Sequence, residues 1–235
     1  MSNAYFQFRQ FTVRQERCAM KVGTDGVLLG AWAAIPERGR VLDIGTGTGL
    51  IALMVAQRAP EVRVTALDID ADAVCQARAN VAASPFEGRV EVLLTALQDY
   101  DAPSASFDAV VCNPPFFEEN LLPPDEGRTL ARHTASLPFA TLVSVAGRLL
   151  ADGGLFSVIL PTAAYDNFRL LCFAQGLLPQ RLCYVKTTPA KEPKRVLATF
   201  LKGTPSACDE TTLILSEAQH RSADYAALTR DFYLW

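Results

Sequence analysis

Apolar residues come in short runs along this chain, and from about residue 40 to 185 longer amphipathic stretches separate them. Runs of strand length lie at 40–44 (RVLDI), 62–68 (VRVTALD), 89–94 (RVEVLL), 107–112 (FDAVVC), 154–160 (GLFSVIL) and 181–186 (RLCYVK). A seventh follows at 195–202 (RVLATFLK). Between them, 48–58, 71–83, 137–150 and 163–175 carry apolar positions at helical spacing. Strands that are apolar at consecutive positions suit a parallel sheet covered on both faces. The alternation predicts right-handed βαβ units in an α/β, doubly wound sheet.

Local punctuation sharpens these boundaries. Thr48 is placed to cap the helix that follows it, and Pro60 to stop it. Asp152-Gly153-Gly154 reads as the turn that feeds the next strand. Residues 113–136 are rich in Pro, Glu and Asn and follow the C-terminal end of a strand. Open α/β sheets bind ligands at that edge, and long loops in compact domains are usually functional.

Composition narrows the class. With 235 residues, 50% hydrophobic and 20% charged, the chain is too apolar to be disordered and long enough for one large domain or two small ones. A net charge of −3 argues against a surface that is basic all over, but leaves room for a local basic patch. Six cysteines are scattered without a C-x-x-C, and there are two histidines, His133 and His220. No zinc-ligand spacing can be assembled from them, so no metal is expected and free thiols in a reducing cytoplasm are. The N-terminus lacks an apolar signal region, and no apolar run approaches the 18 or so residues a membrane span needs.

Two motifs carry chemistry. VLDIGTGTGL sets Gly45, Gly47 and Gly49 between a strand and a helix, where a backbone without Cβ can approach a ligand facing a helix N-terminus. A nicotinamide or flavin enzyme would show G-x-G-x-x-G; this chain reads G-x-G-x-G, with Asp43 two residues ahead of the first glycine. A pyrophosphate is repelled by that carboxylate and an ammonium group is attracted, which favours S-adenosylmethionine over a dinucleotide. Asp68, 23 residues beyond Gly45, ends the second strand, where an acid can accept from both ribose hydroxyls. Asp70 either shares that work or caps the next helix.

The second motif is Asn113-Pro114-Pro115-Phe116, directly after the fourth strand. A ring-conjugated amine is a poor nucleophile until its lone pair is freed from the ring. Two acceptors aimed at its N–H bonds favour that geometry, and the Asn113 side chain and Pro114 carbonyl would supply them. The prolines stiffen the turn. Phe116 offers a face for a flat base, worth about 1–3 kcal/mol in single-stranded nucleic acid. The proton can leave after methyl transfer, so no strong general base is required.

DIGTGTG at 43–49, Asp68 and NPPF at 113–116 together resemble the class I S-adenosylmethionine-dependent methyltransferases that act on amino groups. RCAMKVGTDGVLLGAW at 17–32 and YAALTRDFYLW at 225–235 narrow the likeness. With them, the chain is similar over about residues 6–235 to the bacterial tRNA adenine-N6 methyltransferases of the adenosine 3′ of the anticodon in valine tRNA. The resemblance implies a doubly wound, mostly parallel seven-stranded sheet with one antiparallel strand. It implies a single domain over 1–235, with an N-terminal extension at 5–36, a core at 37–203 and a C-terminal extension at 204–235. It implies S-adenosylmethionine as cofactor, tRNA as partner, no membrane, and a cytoplasmic monomer.

The residue roles follow the same resemblance. Asn113, Pro114, Pro115 and Phe116 would form the amine pocket. Asp43, Gly45, Gly47 and Gly49 would hold the methionine end, and Asp68 with Ile69 the ribose. Lys21, Thr24 and Asp25 belong to a segment that closes over the cofactor in this superfamily, although Thr24 or Asp25 equally suits the N-cap of a helix at 26–34. Leu97 stands where these enzymes often place an Asp that bonds the cofactor's adenine, so Asp99 or a backbone carbonyl would take over. The family often has tyrosine where this chain has Phe116, which keeps the stacking face and loses a hydroxyl. NPP-[FY] is also shared with rRNA guanine-N2 and protein glutamine methyltransferases, which are the alternative acceptors. The glutamine enzymes carry an extra N-terminal helical domain, and only about 38 residues precede the first strand here.

RNA binding requires local positive charge. Arg9, Arg14, Arg17 and Lys21 interleave with Phe6, Phe8 and Phe11, in a segment that reads as RNA contact, edge strand or core plug. Lys186, Lys191, Lys194 and Arg195 cluster between two strands, and Arg128, Arg132 and His133 follow NPPF. Each run is equally readable as a solvated face.

Overall fold

A computed structural model describes residues 3–18, 20–115, 137–204 and 207–234. A short hairpin, β1 (Tyr5–Gln7) and β2 (Thr12–Arg14), precedes α1 (Thr24–Trp32). The chain continues through β3 (Arg38–Ile44), α2 (Leu50–Arg58), β4 (Glu61–Asp68), α3 (Ala71–Ala82), β5 (Val90–Leu94) and β6 (Phe107–Cys112). Then come α4 (Phe139–Leu149), β7 (Leu150–Pro161), α5 (Thr162–Ala174), β8 (Leu177–Lys186), β9 (Arg195–Lys202) and β10 (Asp209–Ile214). The hairpin β11 (Ser216–Glu217) and β12 (His220–Arg221) and the helix α6 (Ala223–Thr229) close it.

Side chains along each central strand alternate between two cores, as the strand's two-residue period requires. Val41 packs on the face that carries α1, α2 and α3, with Leu28, Leu53 and Ala77. Leu42 and Ile44 point to the opposite face, against Leu142 of α4 and Phe168 of α5. Both faces are covered, which is why β3 and β6 carry apolar residues at consecutive positions.

The sheet runs β10-β8-β9-β7-β6-β3-β4-β5. The expected seven strands are present, and β9 is the antiparallel one, paired so with both β7 and β8. An eighth, β10, joins the edge parallel to β8. Order reverses between β3 and β6, so the C-terminal ends of β3, β4 and β6 open a crevice at the switch point.

β7 and β8 begin four residues earlier than their apolar runs suggest, at Leu150 and Leu177. The turn expected at 152–154 is a register shift within the β6–β7 pair instead, because Leu150 already pairs with Phe107. Thr48 does not cap α2. Gly49 holds that position at φ 82°, a left-handed backbone that favours glycine, and a Cβ there would make ordinary contact with the Cβ of Ala77 at 3.4 Å. Neither Thr24 nor Asp25 caps α1, whose N-cap is Gly23 without a side-chain bond.

The two ends of the chain are bound to each other. Phe8 stacks on Tyr233 at 5.8 Å, while the Arg9 backbone N–H and Nε donate to the carbonyls of Phe232 (2.8 Å) and Tyr233 (2.7 Å). FQFRQF is thus the core plug, with Phe8 and Phe11 buried.

Candidate active site

The glycine loop is tied down by its neighbours' backbones. Gly45 and Thr46 N–H both donate to the Leu67 carbonyl at 2.9 Å, and Gly47 N–H donates to Asp68 Oδ2 at 2.8 Å. Asp68 Oδ1 accepts from Asp70 N–H at 3.0 Å, so one carboxylate joins the loop to the end of β4. Asp70 caps α3 by accepting from Asp72 N–H at 2.8 Å and more weakly from Ala73 N–H at 3.4 Å.

A cavity of about 500 Å³ opens over this loop. Its walls include Gly45, Gly47, Asp68, Ile69, Leu97, Asn113 and Pro115. Asn113 follows the register pair Ile44–Cys112, which sets it one step on, beside Gly45. Pro114 is buried behind the wall, and Phe116 lies outside the described residues.

Five of the expected cofactor residues lie off the cavity wall. Asp43 does not reach the wall: it is fully buried beneath the loop, where Oδ2 accepts from Thr46 Oγ1 at 2.6 Å and Oδ1 has no hydrogen-bond partner among the described residues. Burial, with some help from the Asp68 charge, pushes its pKa up to about 7 against the Thr46 hydroxyl and the nearby Ala52 backbone N–H. Gly49 faces Ala77. Asp25 turns away toward β9, where Arg195 Nε donates to its Oδ2 at 2.9 Å. Lys21 and Thr24 are exposed and also off the wall.

The wall holds residues the motifs do not mark. Cys18 and Met20 close its α3 side, and Leu137, Pro138 and Thr141 its α4 side. Burial raises the Cys18 thiol to about 11, with the charges of Asp68, Asp70 and Asp72 adding to it, so it is a neutral lining group. At the Leu97 turn Asp99 is exposed, and Thr95 and Gln98 are the polar groups on the wall.

Asn80 explains how the N-terminal segment reaches this place. It is 1% exposed; Oδ1 accepts from Arg14 N–H at 2.9 Å, and Nδ2 donates to the carbonyls of Arg14 (2.8 Å) and Thr48 (2.9 Å). One amide therefore links β2, α3 and the glycine loop. Among the described residues no cluster of His, Cys, Asp and Glu could hold a metal ion, and no helix is long and apolar enough to cross a membrane.

A Rossmann-like sheet with a glycine loop on its first central strand and NPP after the fourth defines a class I methyltransferase. The family model described as the methyltransferase small domain matches residues 22–165. The chain is 49% identical, over 100% of its length and 99% of the relative's, to the tRNA1(Val) (adenine(37)-N6)-methyltransferase of Phocaeicola vulgatus. It is 44% identical to the enzyme of that name in Aeromonas salmonicida, over 99% and 98% of the two chains. The chain belongs to the tRNA1(Val) (adenine(37)-N6)-methyltransferase family. Solved structures share its fold: a predicted O-methyltransferase of Agrobacterium tumefaciens (21% identity, TM-score 0.70, 88% and 96% coverage), and TYW2 of P. horikoshii in complex with MeSAdo (12%, 0.60, 84% and 70%).

Proposed function

We infer that this protein methylates N6 of the adenosine 3′ of the anticodon in valine tRNA, with S-adenosylmethionine as methyl donor. The observation that carries the reading is the meeting of Asn113 and the glycine loop in one cavity, in a chain whose full-length relatives bear that activity as their name. A cytoplasmic site follows from a tRNA substrate.

The cavity suits the donor. About 500 Å³ lies in the range of small-molecule sites. A Cβ built on Gly45 or Gly47 would meet nothing within 4 Å, so the loop presents bare backbone to the space above it. Ile44, Leu67, Ile69 and Leu97 give apolar walls for a purine, and Asp68 keeps lone pairs for ribose hydroxyls. Buried Asp43, one Oδ without a hydrogen-bond partner among the described residues, lies under the methionine end, where a bound cation favours its ionised form and is offset by that charge rather than by direct contact. S-adenosylmethionine, when bound, supplies an electrophilic methyl group.

Asn113 Oδ1 accepts an N–H of the adenine amine and the Pro114 carbonyl the other, which draws the lone pair out of conjugation and toward the glycine loop. Pro115 lies on the cavity wall, and Phe116 follows it in the sequence. An anticodon-loop base is already partly unstacked, so turning it into the pocket costs little.

Methyl-labelled cofactor incubated with unmodified total tRNA tests the reading. Label recovered as N6-methyladenosine in tRNA is expected; label entering only rRNA or protein would assign the site to guanine-N2 or glutamine.

A further inference from the structure

We propose that the β8–β9 loop, through Lys191 and Lys194 with Lys186 at its base, is the surface that seats the tRNA backbone beside the amine pocket; this deepens the tRNA reading and rests on it. The topology fixes the place. β8 runs parallel to β10 and antiparallel to β9, which is itself antiparallel to β7, so the loop emerges at the same edge of the sheet as Asn113. In strand order β6 lies two steps from β9 and three from β8. At ~4.8 Å per step, the loop is ~10–14 Å to the side of the end of β6. It is on the side away from β4 and β5, where the cofactor's ribose is expected, and so flanks the acceptor.

The loop is built rather than slack. Lys194 N–H donates to the Val185 carbonyl (3.1 Å), Lys191 N–H to Thr188 (3.1 Å), and Thr162 at the start of α5 bonds the Pro193 carbonyl through Oγ1 (3.0 Å). Next to it, the Leu215 and Ser216 N–H groups hold the β11–β12 hairpin, which carries His220 and Arg221, to the carbonyls of Lys186 and Thr187. Lys191 and Lys194 are exposed, with Glu192 the acid between them. The opposite side of the crevice carries Asp68, Asp70 and Asp72. Phosphates are therefore attracted to one flank of the pocket and repelled from the other, which orients the strand.

Two members of the N-terminal basic run are held elsewhere. Arg9 is spent on the C-terminal carbonyls, and Arg17 Nη1 donates to Cys75 Sγ on α3 at 2.9 Å, on the cofactor side.

Steady-state methylation by Lys191→Glu/Lys194→Glu, with full-length valine tRNA as substrate, tests the proposal. KM for tRNA should rise about tenfold or more while kcat at saturation, KM for cofactor and melting temperature stay put. Two phosphate contacts fewer should flatten the log KM against log[salt] slope by roughly 1.4–1.8. Lys191→Arg/Lys194→Arg should restore both. If wild-type protein labels tRNA and the Glu pair keeps its KM and salt slope, the surface is overturned and an acidic protein is the better partner for the loop. If wild-type protein leaves tRNA unlabelled, the tRNA reading itself has failed.

Discussion

The two flanks of the crevice are built differently. On the cofactor flank the loop after β3 is bonded to the end of β4, Gly45 and Thr46 to the Leu67 carbonyl and Gly47 to the Asp68 side chain, and Asp68, Asp70 and Asp72 place negative charge there. On the acceptor flank, Asn113 follows β6 in a turn stiffened by two prolines, and beyond it the β8–β9 loop exposes Lys191 and Lys194 with Glu192 between them. A small cofactor must be gripped in one pose by a fixed loop. A tRNA is gripped over a wide surface, and its single reacting base needs only a few well-aimed acceptors. The near-neutral total of −3 does not prevent local charge of opposite sign on the two flanks.

The largest effect should come from breaking the acceptor flank alone. Asn113→Ala removes an aimed acceptor without touching the glycine loop, and methylation of tRNA should fall about 10²–10³-fold or more, as when one transition-state hydrogen bond is deleted. Calorimetry should find cofactor affinity unchanged; loss of both together would mean that the flanks are not separable. Breaking the other flank should give the mirror image. Asp68→Ala frees two backbone N–H groups of the loop and its turn, and cofactor Kd should rise roughly 10–100-fold while affinity for tRNA in a binding assay holds.

Asp43 sharpens the contrast through pH. Its pKa is raised in the folded protein from 3.8 to about 7, so the folded state keeps a proton that the unfolded chain has released. The stability linked to this group is therefore full below pH 3.8 and lost as pH rises through about 7. Asp43→Asn should remove that slope and leave the cofactor-free protein more stable at pH 8, by up to ~4 kcal/mol, while weakening cofactor binding. Melting curves at pH 5 and pH 8 check the sign, and a variant less stable at pH 8 would refute it. The smallest effect belongs to the joint between the regions. Asn80→Ala should cost about 1–3 kcal/mol in denaturant unfolding, because it strands buried backbone groups of Arg14 and Thr48.

The parts of this site that are legible in the sequence are those made by neighbours along the chain. A strand, three glycines and a helix define the loop at 43–49 by local backbone requirements alone, and Asn113-Pro114-Pro115 is a turn after a strand. Other features depend on pairing over long separations. Arg9 finds Tyr233 across 224 positions and Arg195 finds Asp25 across 170, and no period or spacing in the sequence reports either. Cys18 and Met20 enter the wall because Asn80 and Gln76 hold the N-terminal segment against α3. The closing segment that marked the family is explained by packing of the same kind, since FQFRQF and the closing Phe232 and Tyr233 bury each other. Phe116, Arg128, Arg132 and His133 lie outside the described residues, and their part in base capture rests on the sequence.

The central claim is that one cavity brings a methyl donor on the glycine loop to an adenine amine held by Asn113. Nucleoside mass analysis of purified valine tRNA after reaction, with the modified position mapped by nuclease fragments, tests it most directly. The account predicts a single N6-methyladenosine immediately 3′ of the anticodon with the wild-type protein and none with Asn113→Ala. The same product from Asn113→Ala at an undiminished rate, or a methyl group at any other position or base, would contradict it.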